Sequence, residues 1–211
     1  MENLSEAARA VITSLQALPE APELQRANIV IIGGLALQHH APGFRPTHDV
    51  DILIFDRDRA ICTLDLRAKL ASRFPDEFED VPEPVSSCLN IPDRVKVDFI
   101  PQELVPYLPA DAVTLEKVDP NHLPFLSLQD LLVYKINSCS MRPTDDKRYQ
   151  DARDAQVLVN ILSWQGTITL DDSQKQAVLS GLDEMLEYSR ESRQWWESAL
   201  GLSGPTAERF S

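Results

Sequence analysis

The chain has 211 residues, of which 43% are hydrophobic and 25% are charged, as is ordinary for a soluble globular protein that can bury a sizeable core. Its formal net charge of −13 disfavours nonspecific binding to DNA or RNA, because an acidic surface repels a phosphate backbone. The acidic N-terminus lacks the pattern of a signal peptide, and no apolar stretch reaches the ~18–20 residues that span a bilayer, so no membrane association is expected.

The cysteines favour a reducing compartment. Cys62, Cys88 and Cys139 make an odd count, and none of them forms a Cys-x-x-Cys pair. This pattern predicts buried, reduced thiols and a cytoplasmic location, and it does not favour a zinc site.

The N-terminal part of the chain alternates between helical and strand patterns. Apolar residues recur at helical spacing over 4–18, and Pro19 and Pro22 end this segment. A run of β-branched residues at 29–32 then ends at a glycine pair. An irregular acidic connection with three prolines is expected at 75–84. In chain order we predict a helix at 4–18, a strand at 29–32, a helix at 35–40, a strand at 49–55, a helix at 57–74, strands at 86–91 and 94–100 joined by Pro92-Asp93, and an edge strand at 113–118.

The C-terminal part predicts helices only. One begins after Ser127, a second covers 145–162, and one or two more lie within 171–200. We therefore predict an α/β core at 1–120, a helical segment at 121–200 packed on the core, and a flexible tail at 201–211.

Three aspartates on two predicted strands are candidate metal ligands. Asp49 and Asp51 alternate with an apolar residue and point to one face of their strand, and Asp98 interrupts an apolar strand. If these strands are neighbours, the three carboxylates can hold divalent cations such as Mg²⁺ or Mn²⁺. A solvated sheet face is the alternative for the Asp-x-Asp pattern alone.

A glycine pair follows the first strand. Gly33 and Gly34 open a predicted helix, where backbone amides attract phosphate, although a tight structural turn explains such a pair equally well. The pair lacks the further glycines of a dinucleotide-binding fingerprint and the Gly-Lys of a P-loop.

Together, residues 33–37 (Gly-Gly-Leu-Ala-Leu) and 45–51 (Arg-Pro-Thr-His-Asp-Val-Asp) closely resemble the signature of the nucleotidyltransferase superfamily, with the nearest likeness to its AbiEii-type branch. The resemblance is good over 28–100 and looser beyond. It implies an α/β (α+β) fold with a mixed β-sheet core flanked by helices. It also implies magnesium-dependent transfer of a nucleotidyl group from a nucleoside triphosphate such as ATP to an acceptor hydroxyl.

The resemblance assigns roles to further residues. Asp49, Asp51 and Asp98 would bind metal and catalyse transfer, with Asp98 helping to deprotonate the acceptor, while Gly33 and Gly34 would hold phosphates. The remaining expected nucleotide contacts are Arg45, Thr47, Lys135 and Asp151. Many superfamily members carry Gly-Ser in place of Gly33-Gly34, which leaves only backbone amides for the phosphate here.

Several questions stay open at this point. A fold member that binds NTP or a protein partner without transfer is the alternative function. The acceptor is a tRNA end, a protein hydroxyl or a small molecule, and the oligomeric state is unknown. Lys96 either offsets the charge of Asp98 or is a surface residue. The basic residues at 142–153 are expected to form helix-surface ion pairs with the aspartates interleaved among them.

Overall fold

The computed structural model describes residues 2–19, 21–82, 87–91 and 95–202, and it divides into two compact units, 1–127 and 128–211. The first unit extends past the predicted boundary at 120, because 124–126 joins its sheet. The Ile31 amide donates to the Pro124 carbonyl at 2.7 Å, and the Leu126 amide donates to the Ile31 carbonyl at 2.9 Å. Most of the tail at 201–211 lies outside the described residues.

The first unit combines three α-helices with one sheet in its described residues. Short 3₁₀ turns cover Pro22–Arg26, Gln102–Leu104 and Leu115–Lys117. In chain order the elements are α1 (Glu2–Gln16), β1 (Asn28–Ile32), α2 (Gly33–His40), β2 (Asp49–Phe55), α3 (Thr63–Arg73), β3 (Glu79–Pro82), β4 (Ser87–Ile91), β5 (Val95–Ile100) and β6 (Val113–Thr114).

The sheet is mixed, as predicted, with the strand order β3-β4-β5-β2-β1-β6. The central pair β2 and β5 is parallel, and the other neighbouring pairs are antiparallel. The hairpin predicted between the strands at 86–91 and 94–100 is confirmed as β4 and β5, while its turn at 92–94 lies outside the described residues.

Three predicted elements were wrong in extent. The helix predicted from Arg57 begins at Thr63, because the Asp56 carboxylate accepts a hydrogen bond from the Asp58 amide and closes a turn. The connection predicted as irregular contains β3 at 79–82, paired with β4. The edge strand β6 ends at Thr114, since a 3₁₀ turn follows it.

The core of the first unit lies where α1 meets the sheet. The apolar stripe of α1 is buried at Leu4, Ala8, Val11, Ile12 and Leu15, as its helical spacing predicted. It packs in one cluster with Val50, Ile52 and Ile54 of β2, which alternate along that strand, and with residues of β1 and β5. The central strands are therefore rigidly positioned, and so are the side chains at their ends.

The second unit is helical, as predicted, with α4 (Leu128–Cys139), α5 (Asp145–Gln165), α6 (Asp172–Tyr188) and α7 (Arg193–Ala199). Asp171 and Gln174 form a capping box that starts α6. At Gly181 a Cβ would lie 2.5 Å from the Ile136 carbonyl oxygen, so α6 approaches α4 too closely for any side chain there.

The cysteines are only partly as predicted. Cys139 is buried, but Cys62 is exposed, which corrects the expectation of buried thiols, because it precedes α3 on an open turn. The side chain of Cys88 lies outside the described residues, and the cytoplasmic location stays a prediction. Among the described helices, none has both the length and the apolar composition required to cross a bilayer.

Candidate functional site

The three predicted aspartates converge on one face of the sheet. Asp49 and Asp51 lie on that face of β2, and the parallel register places Asp98 of β5 directly opposite Asp51. One carboxylate oxygen from each residue lies within 4.8 Å of the others. Asp98 is buried and the other two are half-buried, so solvent screens this negative charge incompletely.

Gly33 closes one side of this cluster. It follows β1, whose last residue Ile32 pairs with Asp51, and its φ of +66° is a conformation that favours glycine. A Cβ at Gly33 would lie 1.8 Å from Asp51 Oδ2, far inside van der Waals contact. Asp51 thus occupies the space of a side chain at the first residue of α2, and the sequence pattern gave no sign of this contact.

Gly34 packs in the same way against Thr47. A Cβ there would lie 2.3 Å from Thr47 Oγ1, so a serine at this position would collide with the threonine. The Thr47 hydroxyl donates a hydrogen bond to Asp49 Oδ1 at 2.8 Å. This hydrogen bond orients the Asp49 carboxylate, and the close packing gives both Gly34 and Thr47 a structural role in addition to any ligand contact.

The loop between α2 and β2 is fixed by its own hydrogen bonds. Gln38 Nε2 donates to the Arg45 carbonyl at 3.0 Å, and the half-buried Arg45 donates from its guanidinium to the Pro46 carbonyl at 3.1 Å. His40 Nε2 lies 2.7 Å from the Leu126 carbonyl oxygen. Gln38 and His40 hold α2 and the loop in place, and no local sequence pattern predicted either contact.

Lys96 forms an ion pair with Asp98. Its ammonium lies 3.2 Å from Asp98 Oδ2, and its side chain is 33% exposed against 12% for Asp98. Of the two alternatives from the sequence, the geometry therefore favours charge compensation over an isolated surface residue.

The ligand chemistry of this cluster fits a hard divalent cation. Carboxylate oxygens are the ligands that Mg²⁺ and Mn²⁺ prefer, and the three aspartates offer them without a thiol or imidazole. The first turn of α2 has no side-chain cap, and Gly33 places that turn against Asp51. A phosphate at this helix start would therefore lie beside the carboxylates and their cation.

Lys135 and Asp151 lie in the second unit within a buried ion cluster. The Lys135 ammonium is 2.6 Å from Asp151 Oδ1 and 2.9 Å from Asp154 Oδ2, and all three side chains are at most 5% exposed. Arg142 Nε, at 2.5 Å, and the Ser138 hydroxyl, at 2.9 Å, donate to Asp151 Oδ2. The expectation of surface ion pairs is wrong for Asp151 and Asp154, which link α5 to α4 from the interior.

These charges shift one another's pKa values. Burial opposes ionisation of Asp151, but Lys135 and Arg142 outweigh it and lower the Asp151 pKa to about 2. Burial likewise opposes the charge on Lys135, and its two aspartates outweigh it and raise the Lys135 pKa. Both groups are therefore charged in the folded protein at neutral pH.

The Asp151 pKa predicts a loss of stability in acid. Because the folded pKa lies below the ordinary value of 3.8, the stabilisation is complete above about pH 4 and is lost as pH falls toward 2. The loss should be about 2 kcal/mol, measured by urea unfolding between pH 5 and pH 2.5. Asp151→Asn should flatten this dependence of stability on pH. Asp145→Asn replaces a side chain that is 73% exposed and should leave the dependence unchanged. Equal pH profiles for the wild type and Asp151→Asn would contradict the prediction.

Comparison with known proteins identifies the family. The sequence matches the family described as "Nucleotidyl transferase AbiEii toxin, Type IV TA system" over residues 15–180, which include the three aspartates, Lys135 and Asp151. A search of curated protein sequences gives no significant match.

Two solved structures are similar to the chain. One is an antigenic nucleotidyltransferase-like protein from Paracoccidioides brasiliensis, with a TM-score of 0.52 and 20% identity over 90% of this chain and 92% of that one. The other is the antibiotic-resistance factor ANT(2'')-Ia, with a TM-score of 0.43 and 13% identity over 85% of this chain and 93% of that one. This likeness is too distant to inform function. The first likeness confirms the fold class, and because the family match spans most of the sequence, the chain belongs to the AbiEii nucleotidyl transferase family.

Proposed function

We propose that this protein transfers a nucleotidyl group from a nucleoside triphosphate to an acceptor hydroxyl, with Mg²⁺ or Mn²⁺ held by Asp49, Asp51 and Asp98. The observation that carries the proposal is the convergence of these three carboxylates within 4.8 Å beside the start of α2. The acceptor oxygen would attack the α-phosphorus, and the bond from this phosphorus to the departing pyrophosphate would break. A bound divalent cation would polarise the α-phosphoryl group.

The three aspartates would have different roles in the reaction. Asp49, oriented by Thr47, and Asp51, seated against Gly33, would hold the cation. Asp98, the most buried of the three carboxylates, would complete the site and accept the proton of the attacking hydroxyl.

The start of α2 and its neighbouring loop would hold the triphosphate. The amides of Gly33 and Gly34 would donate to phosphate oxygens, and the Arg45 guanidinium would supply positive charge. Lys135 and Asp151 stay predicted nucleotide contacts, and the contacts described for them support a role within the second unit.

The acceptor is left open by this site. A tRNA end, a protein hydroxyl and a small molecule all supply the required hydroxyl. The net charge of −13 favours the smaller acceptors, or an RNA end held by local contacts only.

Thermal unfolding with each of the four NTPs, with and without Mg²⁺, tests the nucleotide site. At ~100 times its dissociation constant, the preferred NTP should stabilise the protein by about 2.7 kcal/mol, a shift of a few degrees, only when Mg²⁺ is present. Asp49→Asn/Asp51→Asn should abolish the shift, since it removes two of the three carboxylates.

The matched control is Asp56→Asn/Asp58→Asn, which changes the net charge equally. These residues follow β2 and lie outside the carboxylate cluster, so the shift should persist. The absence of a Mg²⁺-dependent shift with every NTP would contradict the proposal. A shift without label transfer from α-labelled NTP to tRNA, to the protein itself or to small hydroxyl compounds would favour the binding module instead.

A further inference from the structure

Lys96 shares the face of the sheet that carries the three carboxylates. It precedes Asp98 by two residues on β5, and the parallel register places it opposite Asp49 of β2. Its ammonium is 3.2 Å from Asp98 Oδ2, so it pairs with the most buried of the three acids, the one that water stabilises least.

The charge balance gives this lysine a specific consequence. Three ionised carboxylates carry three negative charges within a few ångströms, and Lys96 reduces that excess by one. A divalent cation that approaches Asp98 must displace the ammonium from that oxygen or tolerate its repulsion. Asp49 accepts a hydrogen bond from the Thr47 hydroxyl, a partner that carries no charge.

We propose that Lys96 is an internal counter-ion that competes with divalent cations for Asp98, an inference that rests on the proposed function. In the nucleotide-free protein, Lys96 holds Asp98 and weakens the binding of a cation there. A triphosphate offers the ammonium other anionic oxygens, so nucleotide binding favours release of Asp98 from Lys96. The lysine thereby couples completion of the metal site to the presence of substrate.

The test is a titration with Mn²⁺ in the absence of nucleotide. The electron paramagnetic resonance signal of free Mn²⁺ measures how much of the ion is bound. Lys96→Met keeps the length of the side chain and removes its charge, so Mn²⁺ should bind about tenfold more tightly than to the wild type. Lys96→Arg keeps the charge and should bind Mn²⁺ as the wild type does.

Lys69→Met is the matched control. Lys69 pairs with Asp65 at 2.8 Å on α3, its side chain is 32% exposed, and it lies outside the carboxylate cluster. Its replacement removes the same charge from the protein and should leave Mn²⁺ affinity within about twofold of the wild type, because its ion pair is with Asp65 on α3.

The sign of the effect separates competition from support. If Lys96 merely supports the local structure, its replacement should weaken Mn²⁺ binding. Unchanged or weaker binding by Lys96→Met would overturn this inference and leave the proposed function standing. If neither the wild type nor Lys96→Met binds Mn²⁺, the inference fails, whereas the proposed function is decided separately by the Mg²⁺-dependent thermal shift with NTP. Thermal unfolding without metal shows whether each variant is folded at the assay temperature.

Discussion

Alanine at Gly33 is expected to abolish Mg²⁺-dependent NTP binding and to destabilise the protein by about 2–4 kcal/mol. Two costs combine. The φ of +66° disfavours any residue with a Cβ, and that Cβ would lie 1.8 Å from Asp51 Oδ2. Either the Asp51 side chain leaves its position or α2 shifts away from the sheet. Both adjustments separate the carboxylates from the helix start, and urea unfolding and the NTP-dependent thermal shift would measure the two effects.

Gly43 provides a control that has the first cost, the backbone strain, without the second, the collision. Its φ is +77°, but a Cβ there meets nothing within 4 Å, so Gly43→Ala introduces backbone strain without a collision. It should cost about 1–2 kcal/mol and leave NTP binding intact. In Gly33→Ala/Asp51→Ala, the shorter side chain removes the closest contact, so part of the stability should return while binding stays lost. Equal effects of the two single glycine variants would show that Asp51 does not press against Gly33.

Methionine at Lys135 is expected to destabilise the protein by about 3–5 kcal/mol. It removes the cation that Asp151 and Asp154 share and leaves both buried carboxylates without that charge. Arg142 and Ser138 still donate to Asp151 and keep part of its stabilisation. Urea unfolding measures the loss, with Lys147→Met, at an exposed lysine of α5, as the control.

A second substitution tests whether the penalty is electrostatic. Lys135→Met/Asp154→Asn removes one of the stranded charges and should recover about 1–3 kcal/mol relative to Lys135→Met. No recovery would mean that lost packing of the lysine stem, and not the buried carboxylate, causes the loss. If Lys135→Met matched Lys147→Met in stability and reduced only NTP binding, the lysine would serve the nucleotide and not the helix pair.

The arrangement of the site was predictable as far as local periodicity reaches. The apolar runs of β1, β2 and β5 predicted their strands, and the two-residue repeat placed Asp49 and Asp51 on one face. That Asp98 lies near Asp49 and Asp51 could be predicted only on the condition that their two strands are neighbours, because no local pattern shows which strands pair. The parallel register that sets Asp98 opposite Asp51 depends on how the whole sheet is ordered.

Other features depend on tertiary contacts that local patterns do not encode. Interleaved charges on α5 are typical of an exposed helix, yet Asp151 and Asp154 are buried because Lys135 of α4 meets them. The glycine pair is equally compatible with a phosphate site and a tight turn. Only the structure shows that Asp51 and Thr47 occupy the space where side chains would be. In each case the deciding partner is distant in the chain.

The parallel pairing of β2 with β5 also bears on when the site forms. These strands are neighbours in space, but α3, β3 and β4 lie between them in the chain. Closing so long a loop is slow and entropically costly, so this contact belongs among the later steps of folding. Asp49 and Asp51 leave the ribosome before Asp98, and neither can complete the cluster alone. Nascent or partly unfolded chains should therefore lack the complete carboxylate cluster, and the function proposed for it would be a property of the finished fold.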